Sequence, residues 1–100
     1  MTDSAAGTRK RQIGNTDAVL GRVLRAERER KELSQDELGH RAGYSRNYIG
    51  LLEQGKASPS VRALFNIATA LGVRPSLLIR RAEAFNARKI RADQSSQKTF

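Results

Sequence analysis

Apolar residues recur at three- and four-residue intervals from Leu20 to Phe85, and no stretch alternates as a β-strand would. Leu20, Val23 and Leu24 form the stripe of a first helix, from about Asp17 to Lys31. The stretch Leu33-Ser34-Gln35-Asp36-Glu37-Leu38 predicts the start of a second. Ser34 and Glu37 have the spacing of a capping box, and Leu33 and Leu38 that of a hydrophobic staple. Gly43 suits the left-handed residue that ends this helix. Ser45 caps a third, with Tyr44 and Ile49 as another staple, and Gly55 closes it after Gln54. A fourth starts near Ser58-Pro59-Ser60, with proline in the first turn, carries Val61, Leu64, Ala68 and Leu71 on one stripe, and ends at Gly72. Arg74-Pro75-Ser76 opens a fifth, which carries Leu77, Leu78, Ala82 and Phe85 toward about Ala92. The expected fold class is all-α, with five helices.

One hundred residues accommodate one domain. Residues 16–79 are expected to form it, and residues 80–92 to extend the fifth helix. Residues 1–15, small and polar around Arg9, Lys10 and Arg11, read as a disordered basic tail, and residues 93–100 as a second tail. The Arg9-Lys10-Arg11 cluster suits either a solvated tail or an arm along a nucleic-acid backbone.

Charge narrows the class of partner. The chain has 19 Lys and Arg against 10 Asp and Glu, a formal net charge of +9, concentrated toward the ends. Such an excess points to a polyanion, nucleic acid before an anionic membrane. With no cysteine and a single histidine, His40, neither a thiolate site nor a histidine-based metal site is expected. No serine stands in a nucleophile-activating pattern with His or Lys, so no enzyme and no cofactor are expected. No apolar run suits a membrane span or a signal peptide, and the expected location is the cytoplasm, at the nucleoid when bound to DNA.

The candidate site lies in helices two and three. They are joined only by Gly43-Tyr44-Ser45, a link short enough to force a steep crossing. Leu38, Ala42, Ile49 and Leu52 then face inward, which leaves Arg46, Asn47, Gly50 and Leu51 on the outer face of helix three. Arginine and asparagine can bond bidentately to guanine and adenine edges in a major groove, and leucine can meet a thymine methyl. Gly50 is read as permitting close approach.

From Leu20-Gly21 through Leu78 the chain resembles the lambda-repressor-like, phage-repressor/Cro type of helix-turn-helix domain, the XRE family of bacterial regulators. The resemblance rests on Leu33 to Leu38, Gly43-Tyr44-Ser45, Tyr48-Ile49, Leu52-Glu53-Gln54-Gly55-Lys56, Pro59-Ser60 and Ile67 to Val73. It implies a third helix that enters the major groove, as a two-fold dimer on a palindromic operator. It also implies base reading by Arg46, Asn47 and Leu51, and backbone contacts by Gln35, Ser45, Tyr48, Gln54 and Lys56. Arg28 and Glu53 match a pair that bridges helices one and three. Three positions depart from the family pattern. Gly39 replaces alanine at about 1 kcal/mol in helix propensity. Glu27 takes an apolar place in helix one, which implies looser contact there, and Glu32 replaces a glycine before Leu33.

Phe65, Leu78, Ala82 and Phe85 are expected to build a homodimer interface, since one reading helix covers only a few base pairs. The basic end of helix five, with Arg80, Arg81, Arg88, Lys89 and Arg91, could instead add phosphate affinity. The functional expectation is a sequence-specific regulator that binds double-stranded DNA and acts by operator occupancy, blocking or recruiting RNA polymerase. The alternative is a protein-interaction adaptor of helix-turn-helix shape without specific DNA binding, its apolar patches at Leu51, Phe65 and Phe85.

Overall fold

A computed structural model describes the backbone of residues 2–97 and the side chains of residues 16–86. Five helices follow one another: α1 (Thr2–Arg30), α2 (Gln35–Ala42), α3 (Arg46–Glu53), α4 (Val61–Leu71) and α5 (Pro75–Gln97). The local signals act where the chain places them. The Ser34 hydroxyl accepts from the Glu37 N–H at 3.0 Å, and the Ser34 N–H donates to the Glu37 carboxylate at 2.8 Å, completing the capping box. That backbone bond, with the Ser34 hydroxyl second, holds the Glu37 carboxyl below the usual range. Gly43 and Gly72 end α2 and α4 in the left-handed region, at φ 84° and 74°. Pro59 lies before α4 rather than in its first turn, because Ser60 is the cap and accepts from the Ala63 N–H.

The outer helices are longer than the expected ones. α1 begins at Thr2, where the sequence suggests a disordered tail, and α5 runs to Gln97. Continuing a helix adds one hydrogen bond per ordered residue without the cost of a new nucleus. The side chains of the basic cluster Arg9-Lys10-Arg11, and of Arg88, Lys89 and Arg91, lie outside the described residues.

The core is a single cluster that joins Leu20, Val23 and Leu24 of α1 to Leu38, Ile49, Leu52, Ile67, Leu71 and Leu78. Two glycines let its elements approach closely. A Cβ on Gly21 would lie 2.4 Å from the Leu52 carbonyl oxygen, and one on Gly39 would lie 2.6 Å from that of Tyr44. The propensity cost assigned to Gly39 is therefore accompanied by closer contact between α2 and the turn than this backbone would allow an alanine.

Glu27 corrects an expectation. Looser contact was expected of a charge at an apolar place, yet its side chain is 2% exposed. Its Oε2 accepts from Arg30 Nη1 at 2.6 Å and from Arg81 Nη1 of α5. A buried carboxylate persists when cations and hydrogen bonds replace its water. The pair fastens α5 to α1 across the domain.

Glu32 shows what replacing the family's glycine entails. It adopts φ 58° just after α1, among residues the only non-glycine described there in the left-handed region. A side chain in that region costs about 1–2 kcal/mol. Glu32→Gly is expected to raise the stability of the domain by about 1 kcal/mol in urea unfolding, after the added chain entropy of glycine is set against that strain. An unchanged or lowered midpoint would refute this reading.

Candidate functional site

The turn Gly43-Tyr44-Ser45 sends α3 away from α2. Ser45 caps it, its hydroxyl accepting from the Tyr48 N–H at 3.0 Å. Ile49 and Leu52 are buried at 1% exposure each, so the opposite edge of α3 faces outward. Arg46 and Asn47 on that edge are exposed, as are Gln54 and Lys56 just beyond the helix, while Leu51 is half-buried. Gln35, Arg46, Asn47, Gly50, Leu51 and Gln54 line one shallow concavity. Six of the residues expected to touch DNA thus converge on one surface, although they come from two helices and the turn after them.

A buried network sets the pose of α3. Arg28 of α1 grips Glu53 with both arms of its guanidinium, Nε to Oε2 at 2.6 Å and Nη2 to Oε1 at 3.0 Å. Its Nη1 donates to the Leu33 carbonyl oxygen at 2.8 Å. Gln35 Nε2 donates to Glu53 Oε1 at 3.0 Å. The side chains of Arg28 and Glu53 are 11% and 3% exposed, so the pair is shielded from water. The hydrogen bond to Glu53 raises the Arg28 pKa, and burial opposes it in part. Three elements are locked together: the end of α1, the start of α2 and the end of α3.

The same network seats Gln35 over Gly50. Gly50 is buried, and a Cβ built on it would meet the Gln35 carboxamide at 3.7–3.8 Å. Gln35 covers it because that amide is turned toward Glu53. The 3.7–3.8 Å separation is an ordinary van der Waals distance, so the brace would tolerate a methyl group there, and Gly50 also lines the concavity beside Arg46 and Asn47. Tyr48 is half-buried, its ring 5.1 Å from that of Tyr44, and burial raises its pKa. The Tyr44 hydroxyl accepts from Asn66 Nδ2 of α4 at 3.1 Å.

The expected dimer residues separate. Leu78 is fully buried within the chain, and Ala82 packs against the same core. Phe85 is half-buried, with the Arg22 guanidinium 5.8 Å from its ring centroid. This stripe of α5 is covered by α1, so Leu78 cannot serve a second copy. Phe65 remains outward, 55% exposed, one turn from Val61 at 74%.

One functional candidate, Arg41, was not singled out in the sequence. His40 and Arg41, at the end of α2, line a concavity with Asp36, Glu37, Tyr44, Ser45 and Arg46. Their spacing from Asp36 and Glu37 places all four on one helix face, but only the turn brings that face beside Arg46. Among the described residues no group of three or more His, Cys, Asp or Glu could hold a metal ion, and no helix is long and apolar enough to cross a membrane.

A family profile described as a helix-turn-helix domain matches residues 19–80. The chain is 44% identical over 46 residues to y4dJ, an uncharacterized HTH-type transcriptional regulator of Sinorhizobium fredii, covering 46% of this chain and 60% of that protein. It is 32% identical over 61 residues to the immunity repressor protein of Bacillus phage phi105, covering 61% of this chain and 42% of that protein. The match thus spans less than two thirds of either relative. Among solved structures, the restriction-modification controller protein C.AhdI of Aeromonas hydrophila is similar with a TM-score of 0.61 at 35% identity, over 62% of this chain and 94% of that one. The clp gene regulator ClgR of Corynebacterium glutamicum shares the fold, with a TM-score of 0.76 at 24% identity over 82% of this chain and 87% of that one. The braced, serine-capped third helix and the family match over residues 19–80 lead to one assignment: the chain belongs to the helix-turn-helix domain family.

Proposed function

We propose that this protein is a sequence-specific transcriptional regulator that binds double-stranded DNA as a dimer on a palindromic operator and acts by occupying it. The observation that carries the reading is the outward edge of α3, where Arg46 and Asn47 are exposed on a helix whose other face is buried. Arg46 and Asn47 read base edges, and Leu51 supplies an apolar contact from its half-buried position. Gln35, Ser45, Tyr48, Gln54 and Lys56 set the register on phosphates. Gln35 has one amide N–H directed to Glu53, which leaves its second for a phosphate. Arg41 joins them from α2.

The dimer face is assigned to α4, where Val61 and Phe65 are exposed and Arg62 is the only charged residue. Two chains of net charge +9 repel least where they bring together a surface of low charge. The expected location is the cytoplasm, and RNA polymerase is affected through the occupied site.

Selection of bound duplexes from a random pool tests the reading, and a two-fold-symmetric motif is the expected result. On that motif Arg46→Ala is expected to cost about 1–3 kcal/mol and to relax the preference at one base pair. Lys56→Ala is expected to weaken all sequences alike and to lower the salt slope by about one. A pool that enriches no motif would favour the adaptor reading, with Val61 and Phe65 as its contact surface.

A further inference from the structure

We propose that the groove between α1 and α5 is a binding site for a small amphipathic carboxylate, of the medium-chain aliphatic acid class. The groove has a volume of about 490 Å³ and is lined by Arg22, Val23, Ala26, Glu27, Arg81, Ala84 and Phe85. That volume lies within the range of about 300–1,000 Å³ usual for small-molecule sites. Val23, Ala26, Ala84 and Phe85 make its walls apolar, and they suit an alkyl chain rather than a bare anion.

Its charges are unbalanced in one direction. The single carboxylate of Glu27 serves two guanidinium groups through one oxygen, Oε2, those of Arg30 and Arg81. Among the described residues one positive charge is therefore not matched by Glu27 beside the groove, and Arg22 over the Phe85 ring adds another. A guanidinium carries five N–H donors in a planar fork that matches a carboxylate. Arg81 gives Nη1 to Glu27 and keeps 39% of its side chain exposed, so its fork can take a second carboxylate at the rim. The head of the ligand then rests on Arg81 and Arg22, and its chain lies along Val23 and Phe85. A lipophilic cation would meet net positive charge at the same rim. The inference stands apart from the DNA-binding reading, because these residues come from α1 and α5 and none belongs to the α3 edge.

Calorimetric titration of the whole chain with octanoate tests it, with octylammonium as the probe of opposite charge. One octanoate per chain is expected, bound at least about tenfold more tightly than octylammonium. Two variants at exposed positions remove the head contact and the space: Arg22→Gln and Ala84→Leu. Each is expected to weaken octanoate at least about tenfold while leaving the urea midpoint of the free protein near that of wild type. Equal affinity for the two probes, unchanged affinity in both variants, uptake of several octanoates per chain, or no binding would each overturn the proposal.

Discussion

Replacing Arg28 with methionine is expected to destabilise the domain by about 3–5 kcal/mol, a large part of the stability of a domain this size. The substitution leaves the Glu53 carboxylate, 3% exposed, with Gln35 as its remaining recorded donor, and deprives the Leu33 carbonyl of its Arg28 bond. Methionine fills much of the volume, so the loss reports the stranded charge rather than a cavity. The double variant Arg28→Met with Glu53→Met removes that charge and is expected to regain most of the loss, since a buried ion pair replaced whole by apolar groups is often nearly neutral. Urea unfolding of the single and double variants measures both. A double variant no more stable than the single would show that the network contributes in some other way. DNA affinity supplies a separate readout, because the apolar pair restores burial but not the pose that Gln35 and Glu53 give α3.

Gly21→Ala is expected to destabilise by about 3 kcal/mol, although alanine is the better helix former by about 1 kcal/mol. The new Cβ would lie 2.4 Å from the Leu52 carbonyl oxygen and 2.7 Å from that of Glu53. Both are backbone atoms at the end of α3, so no rotamer change relieves the contact and the two helices must separate. The shift passes to Glu53 and from there to Gln35. Thermal unfolding and binding to the selected operator should therefore decline together. A Gly21→Ala protein as stable as wild type would mean that α1 and α3 can move apart at little cost.

Much of the fold was legible because its signals are local. A serine three residues before a free amide, or a glycine where φ must turn positive, acts within a single turn of chain. Ser34, Ser45, Gly43 and Gly72 therefore mark helix ends correctly without reference to the rest of the molecule. The exposed edge of α3 was legible for a related reason. Once Ile49 and Leu52 are assigned inward, the helical repeat leaves Arg46 and Asn47 outward.

The stripe Leu78, Ala82 and Phe85 shows where such reasoning ends. Periodicity says that a face is covered, but not whether by α1 or by a second copy, and here the cover is α1.

Helix identity, helix ends and the outward arginine-asparagine edge follow from residue order, since each depends on groups within a few positions of one another. Contacts between distant segments were settled only when the helices came together. Arg28 reaches Glu53 across 25 positions, a pair that the family resemblance suggested and no local pattern does, and Arg81 reaches Glu27 across 54, which neither suggested. Desolvation makes such partners necessary, and only the three-dimensional path of the chain says which partner is near enough to serve.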